Sequence, residues 1–332
     1  MQKEISIVTG ANGHLGNNLL RLLIEKGYSL RGTVRQIEKA KPFSNLDCEW
    51  READLMDKKS MLRAFEGGST LYAVGAAFRL WAKNPEKEIY QTNVQGTQNL
   101  FEAAHEVGIK NIVYVSSIAA LDFTSLPAKV ENGYNKDRRN CYYNSKNDSD
   151  RLALELGKRY GIRTVIVLPS AMIGGFVGKM SYSNELVWQI MNGKIPLDTN
   201  FSLNWVDVED VAKAMLSARE RGKDQHRYIL ANKKHTTIQE SVEIASQLFP
   251  ERKLNIPPKA SKTLLKVIAS FMEAASWLTG HEPQLQRHYV DMFYGLKQDF
   301  DISLSEEHLH FQPTSSREVL QQAMLAMSKR KV

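Results

Sequence analysis

The chain opens its regular structure with Ile5-Ser6-Ile7-Val8-Thr9-Gly10-Ala11-Asn12-Gly13-His14-Leu15-Gly16. Ile5–Thr9 is short, apolar and β-branched, and reads as a buried strand. The run Leu15–Lys26 repeats its apolar positions with helical spacing. Between the two lie three glycines in the order Gly-x-x-Gly-x-x-Gly. Glycine there permits the tight turn, lets backbone approach a pyrophosphate, and lets the helix pack closely on the strand. The start of the helix offers unpaired N–H groups and the positive end of its dipole to the phosphates. Gly10, Asn12, Gly13, His14, Leu15 and Gly16 are therefore expected to cradle a dinucleotide. His14 contributes mainly through its backbone N–H, with the imidazole as an additional cation.

Outward from this turn, strands and helices alternate. Strands are expected at Ile5–Thr9, Ser29–Val34, Glu49–Glu52, Leu71–Val74, Asn111–Ser116 and Thr164–Leu168, and helices at Leu15–Lys26, Lys58–Phe65, Pro85–Val107 and Tyr142–Tyr160. Such alternation forces parallel strands with helices on both faces. Gly27, Gly108 and Gly161 punctuate the helix ends. The expected fold is α/β, a Rossmann-type doubly wound parallel sheet over residues 1–170. A smaller, mostly helical C-terminal substrate-binding lobe covers residues 171–332 and is partly interleaved with the first. In this second part Gly174-Gly175, Gly178, Gly193 and Pro196 break the chain into shorter pieces. A strand-like run precedes Asp207, a helix covers Val208–Ala218, and Tyr228–Ala231 reads as another strand. Leu264, Leu265, Ile268 and Met272 form a helical stripe. The stretch Leu264–Leu278, with Phe271 and Trp277, has four readings: lid, dimer face, peripheral membrane patch or core.

With 332 residues, 42% of them hydrophobic and 24% charged, the chain is an ordinary globular protein, and disordered or collagen-like classes are excluded. The net charge of +7 is spread among acids, with no basic tract before Lys329-Arg330-Lys331. Nucleic-acid binding is therefore not expected, and the positive excess suits an anionic cofactor. No run resembles a signal peptide or a spanning helix. The only cysteines, Cys48 and Cys141, have no metal-ligand spacing. A cytoplasmic protein with reduced thiols and no metal is expected. Asn147-Asp148-Ser149 matches the glycosylation pattern but falls on an expected helix.

The second strand ends in Arg35. An acid at that place would accept the adenosine ribose hydroxyls, whereas arginine suits a 2′-phosphate. With Lys39 as a second cation, the expected cofactor is NADP(H). Tyr142 and Lys146 are four apart and share one helix face. A free phenol titrates near 10, and a neighbouring ammonium is expected to lower it into a useful range for proton transfer to a carbonyl oxygen. Tyr143 is three residues from the lysine and is expected to line the site or pack. Ser116-Ser117 ends the fifth strand at the edge of the same site.

These motifs together resemble the extended short-chain dehydrogenase/reductases, the NAD-dependent epimerase/dehydratase superfamily, and most closely its dihydroflavonol 4-reductase-like branch. The resemblance spans nearly the whole chain. It implies that Asp54, in Ala53-Asp54-Leu55, meets the adenine amino group, and that Gly75-Ala76 lets the nucleotide cross the fourth strand. It likewise implies roles beside the cofactor for Asn93 in Asn93-Val94-Gln95-Gly96-Thr97, for Pro169 in Pro169-Ser170-x-x-Ile173-Gly174, and for Ser183 at the pyrophosphate. Lys146 would hold the nicotinamide ribose, Ser117 would donate to the substrate carbonyl, and Ser116 would touch the cofactor. Ala73 departs from the family, where histidine is frequent. The implied activity is NADPH-dependent reduction of a small, apolar or aromatic ketone or aldehyde, with Ser117, Tyr142 and Lys146 as the catalytic set and a homodimer as one assembly. A nucleotide-sugar epimerase or dehydratase with retained cofactor is the alternative, and a non-catalytic NADPH sensor a third. Phe78, Leu80 and Trp81, with Arg79 among them, could wall an apolar pocket. Lys136, Arg138 and Arg139 either meet an acidic or thioester-nucleotide substrate or form a solvated loop.

Overall fold

The computed structural model describes residues 4–78, 81–175 and 180–329. The expectations for Arg79, Leu80, Gly178, Arg330 and Lys331 lie outside the described residues. In chain order the first part holds β1 (Ile5–Val8), α1 (His14–Glu25), β2 (Ser29–Val34), β3 (Glu49–Glu52), α2 (Lys58–Phe65), β4 (Gly68–Ala73), α3 (Thr92–Glu106), β5 (Asn111–Val115), α4 (Cys141–Tyr160) and β6 (Arg163–Pro169). The second part holds β7 (Ala171–Ile173), α5 (Tyr182–Met191), β8 (Trp205–Asp207), α6 (Val208–Arg221), β9 (Arg227–Leu230), α7 (Ile238–Leu248), α8 (Lys262–Thr279), α9 (Arg287–Phe293), α10 (Ser303–Leu309) and α11 (Ser316–Ser328).

Seven strands form one parallel sheet in the order β3-β2-β1-β4-β5-β6-β9. The order reverses between β1 and β4, and the crevice outside the carboxyl ends of these strands is where such sheets bind ligands. Helices α1 and α6 pack together over one face, and α2, α3 and α4 over the other. The fold class is therefore as expected, and β2, β3 and α2 match their sequence bounds at both ends.

Several ends shift by one residue and α6 runs three residues past Ala218, while two elements differ for a structural reason. Strand β4 begins at Gly68, earlier than Leu71, because Gly68 pairs with Ile5 and packs against the Ile7 side chain with no room for a Cβ. The long helix is divided. A π-helical turn, Glu86–Gln91, precedes α3, and the Thr92 hydroxyl donates to the Lys87 carbonyl five residues back at 3.1 Å.

A second core lies beyond the sheet. Ile173, Val187, Trp205, Ile238, Val242, Leu320 and Met324 meet where α5, α7 and α11 cover the two-stranded sheet β7-β8. Helix α8 turns Leu265 and Ala269 inward, but Leu264 is 46%, Phe271 74% and Trp277 85% exposed. Core packing thus accounts for only one stripe of α8, and Leu264 is a correction to the expected stripe. No helix among the described residues is long and apolar enough to cross a membrane.

Strand β9 comes from the second part of the chain and brings a charge into the sheet. The Arg227 Nε lies 3.0 Å from Oδ1 of Asp150, which is completely buried on α4. The carboxylate also accepts from Tyr134 at 3.0 Å and from Ser116 at 2.7 Å, and the guanidinium lies 4.1 Å over the Tyr134 ring. Removing one partner of such a pair leaves an uncompensated buried charge. Arg227→Met is therefore expected to lower unfolding stability by about 3–5 kcal/mol in urea titrations. A loss below about 1 kcal/mol, the range of an exposed pair, would show that the ion pair does not hold β9 to α4.

Candidate active site

The glycine turn has the geometry its spacing implies. Gly10 has φ +61°, and a Cβ there would stand 2.9 Å from the Gly75 Cα on the neighbouring crossover. A Cβ on Gly16 would collide with the Gly10 carbonyl. Gly13 stands at the N-cap of α1 and no side chain caps that helix, so the N–H groups of its first turn remain available to a phosphate. Asn12 is half-buried and Gly13 exposed, at the mouth of this turn.

His14 requires a correction. Its Nε2 lies 2.7 Å from the Gly174 carbonyl, and burial pushes its pKa below the ordinary histidine range. The ring is thus a neutral strut between the glycine turn and β7, and its usefulness to a phosphate lies in the backbone alone. Asn18 supports the same strut by donating to the carbonyls of His14 (2.7 Å) and Gly175 (3.0 Å). Asn184 holds Gly174 from the other side, accepting from its N–H at 3.0 Å. Ser183, beside it in the first turn of α5, is half-buried and close to this junction in sequence.

At the adenosine end, Arg35 and Lys39 follow β2 and are exposed, and neither has an ion-pair partner among the described residues. Asp54 is half-buried and its carboxylate accepts the Met56 N–H at 2.8 Å. The Leu55 carbonyl accepts from Asn99 at 2.8 Å, and Leu55 packs on Gly96 of α3. Thr9 accepts the N–H groups of Val74 (3.0 Å) and Gly75 (2.9 Å), holding the Gly75-Ala76 crossover against the glycine turn. Asn93 is fully engaged. It accepts the Ala77 N–H at 2.8 Å and donates to the Ala77 carbonyl and to Ser145 of α4. Asn93 therefore shapes the crossover, and its amide is not a free cofactor ligand.

The catalytic candidates converge at the carboxyl end of β5. Ser117 caps a short 3-10 turn by accepting from Ala119 N at 3.1 Å, and its hydroxyl is near enough to the Tyr142 phenol to draw that group's pKa down. Ser116 points elsewhere: its hydroxyl is committed to Asp150, so Ser116 offers a cofactor only backbone. Lys146 is 5% exposed, with its Nζ 3.4 Å from the Val115 carbonyl. Burial lowers its pKa to about 8, and Asp150 one turn further along α4 opposes the shift. The expected lowering of the Tyr142 pKa is not found. Burial holds that phenol above its ordinary range, against the lowering effect of the Ser117 hydroxyl. Pro169 ends β6 beside Ser170, whose buried hydroxyl has no partner among the described residues.

Around Tyr142 the walls are aromatic. Phe78 meets Tyr142 edge-on at 5.1 Å and Tyr182 at 5.5 Å. Tyr142 meets Tyr143 at 5.9 Å, and Tyr143 meets Phe293 at 5.6 Å. Phe293 in turn contacts Phe201 and Tyr289, each at 5.8 Å. Tyr143 packs between Tyr142 and Phe293, one of the two outcomes expected of it, and Trp81 is half-buried nearby in sequence. Tyr182, Tyr289 and Phe293 were not singled out, since nothing in a linear pattern ties residues so distant to Tyr142. The basic loop is neutralised locally. Lys136 lies 3.2 Å from Asp122, Arg138 2.6 Å from Asp148, and Arg139 pairs with Asp137.

A nucleotide turn, an exposed basic end at β2, and a buried Tyr-Lys pair beside a serine form the site of a nicotinamide-dependent enzyme. The chain belongs to the NAD dependent epimerase/dehydratase family, whose model matches residues 6–231. It is an NAD(P)-dependent oxidoreductase of the dihydroflavonol 4-reductase-like branch. A putative dihydroflavonol 4-reductase of Synechocystis sp. is 34% identical over 232 residues, covering 68% of this chain and 67% of that one. Sterol demethylase protein B of Methylococcus capsulatus is 27% identical over 318 residues, 94% of each chain. The crystal structure of gox2253 superposes with a TM-score of 0.81 at 27% identity, covering 98% of both chains.

Lys146 makes a stability prediction. Its folded pKa of about 8 lies below the 10.5 of an exposed lysine. Below pH 8 both folded and unfolded chains carry the charge, so the penalty of burying it is complete at pH 7. The penalty lifts as pH rises from 8 to 10.5. Lys146→Met should therefore stabilise the ligand-free protein at pH 7 by about 1–3 kcal/mol, with the difference vanishing near pH 10.5. Urea titrations at the two pH values measure this. A less stable methionine variant at pH 7 would mean that the ammonium is compensated where it sits.

Proposed function

We propose that this chain is an NADPH-dependent reductase of a small apolar or aromatic ketone or aldehyde, with Tyr142 as the proton donor. The observation that carries this reading is the contiguous wall of rings closing on the Tyr142 phenol, beside the Ser117 hydroxyl and the Lys146 ammonium. Apolar walls favour a substrate with little charge. Residues from 171 onward supply much of this wall through Tyr182, Tyr289 and Phe293, which supports their assignment as the substrate-binding lobe, with β9 returning to the sheet.

The residues fit the cofactor. The uncapped turn at Gly13 and Gly16 would hold the pyrophosphate, Arg35 and Lys39 the 2′-phosphate, and Asp54 with Leu55 the adenine. Gly75 and Ala76 would let the nucleotide cross β4, the backbone of Ser116 would touch it, Lys146 would hold the nicotinamide ribose, and Ser183 would meet the pyrophosphate. Beside Pro169, the unpartnered Ser170 hydroxyl offers a hydrogen bond where a carboxamide would lie. The bound dihydronicotinamide supplies the hydride. Ser117 orients the carbonyl oxygen by donating a hydrogen bond to it. Tyr142 then gives its proton to the developing alkoxide, and Lys146 stabilises the resulting phenolate until solvent reprotonates it. The Tyr142 phenol, held above its ordinary pKa range by burial in the ligand-free protein, carries its proton at neutral pH, as the donor of a reduction must. Because Lys136, Arg138 and Arg139 are paired with nearby acids, the loop supplies no ready cluster of free cations for a sugar diphosphate.

Two substitutions test the reading. Tyr142→Phe removes only the hydroxyl, so NADPH binding by fluorescence titration should change little while turnover falls by about a hundredfold or more. Retained activity there, with Tyr143→Phe inactive, would transfer the role to Tyr143. Arg35→Ala should erase a preference for NADPH over NADH of roughly ten- to a hundredfold, the worth of a charge-assisted contact. Equal dissociation constants for the two cofactors in the unmodified protein would contradict the assignment of Arg35.

A further inference from the structure

Two residues before Tyr142, Asn140 is 4% exposed and occupies the N-cap of α4. Its Oδ1 accepts the Tyr143 N–H at 3.0 Å, which satisfies one of the orphan donors of the catalytic helix. With the oxygen so placed, the amide nitrogen must face the other partners. Nδ2 stands 2.8 Å from Nε2 of His288 and 3.1 Å from the Tyr289 hydroxyl. An amide nitrogen is a donor only, so both of these atoms accept, and Nε2 accepts only in a neutral ring that carries its proton on Nδ1. Burial of His288 favours that neutral ring. The charged groups acting on it are Glu273 of α8 and Arg139 and Asp137 of the loop before α4.

His288 and Tyr289 belong to α9, which carries the far part of the aromatic wall. Tyr289 stacks on Phe293 at 5.8 Å, and Phe293 meets Tyr143 at 5.6 Å. The Tyr142 phenol also acts electrostatically on Tyr289. Helix α9 is tied to α8 through Asp291 with Lys262 and Lys266, and through Arg287 with Glu273. The α8-α9 pair is thus one unit. A buried amide joins it to the catalytic helix, and Arg139 reaches Asp291 at 3.9 Å on the outer side.

We propose that Asn140 is a positioning residue that caps the catalytic helix and, through His288 and Tyr289, sets the distance between the aromatic wall and Tyr142. This rests on the reading of Tyr142 and its rings as the substrate site. Helix α9 cannot swing away from Tyr142 without breaking both donor bonds of Asn140 or uncapping α4. Substrate fit is therefore coupled to the geometry of the proton donor through one side chain.

The test has two arms. Nitrogen-15 NMR of the histidines at pH 7.5 reads the tautomer directly, with the His288 signal assigned among the eight histidines by its loss in His288→Gln. The unmodified protein should show His288 neutral with an unprotonated Nε2, and Asn140→Ser should shift it to the ordinary tautomer mixture. A protonated Nε2 in the unmodified protein overturns the proposal. The second arm is NADPH-dependent reduction of 1-phenylpropane-1,2-dione. Asn140→Ser keeps a cap oxygen but loses both donors, so KM should rise about tenfold or more while kcat changes less than about threefold. Tyr289→Phe, which keeps the ring stack, should raise KM by a smaller factor. Asn140→Ala, which also loses the cap, should lower kcat as well. Equal loss of kcat in the serine and alanine variants, or an unchanged KM in both Asn140→Ser and Tyr289→Phe, overturns it. If the unmodified protein does not reduce the diketone, that result bears on the proposed substrate class, and the NMR arm alone decides the role of Asn140.

Discussion

A lysine ammonium buried between β5 and α4 costs several kcal/mol unless neighbouring groups compensate it, and much of the site is arranged around that cost. Asp150 lies one turn along α4 and supplies the opposing charge. It in turn is held away from water by Arg227, Tyr134 and the Ser116 hydroxyl. Arg227 arrives on β9, the edge strand contributed by the second part of the chain. The position of Lys146 is thereby linked to the completion of the sheet. Ser116 and Ser117 divide the work at the end of β5: one hydroxyl serves this buried network, and the other faces Tyr142.

The two ends of the site differ in character. The end proposed for adenosine is open, with Arg35 and Lys39 exposed after β2, and the proposed phosphate turn is uncapped backbone. The end proposed for the substrate is walled by rings drawn from the β4-α3 crossover, α4, α5 and α9. An enzyme that exchanges its cofactor at each turnover needs the first property, and one that reduces an apolar carbonyl away from bulk water benefits from the second. The strut of His14, Asn18 and Asn184 on Gly174 and Gly175 joins the phosphate turn to the start of the substrate side.

The alternation of strands and helices was legible because periods of two and 3.6 are local signals. The glycine turn and the Tyr142–Lys146 spacing were legible for the same reason, since backbone approach and a shared helix face are decided within a few residues. What escaped depends on distant partners. His14 meets a carbonyl 160 residues away, so its neutral, buried role could not be read from its place in a phosphate turn. Asp150 and Arg227 are 77 positions apart, and Asn140 and His288 are 148 apart. The pKa of Tyr142 was misjudged because proximity to a lysine along the helix is visible in the sequence, whereas complete burial of the phenol is a property of the packing. Similarly, the two readings of the basic loop could not be separated until its cations were found beside Asp122, Asp137 and Asp148.

The central claim is net hydride transfer to a carbonyl compound that leaves as an alcohol. It is tested most directly by incubating nucleotide-stripped protein with carbonyl candidates, nucleotide sugars and one equivalent of NADPH deuterated at C4 on the transferred face. The account predicts that NADPH absorbance falls in step with product and that deuterium appears on the new carbinol carbon of an apolar ketone or aldehyde. Conversion of a nucleotide sugar at constant NADPH absorbance, with no deuterium in a released alcohol, would contradict it.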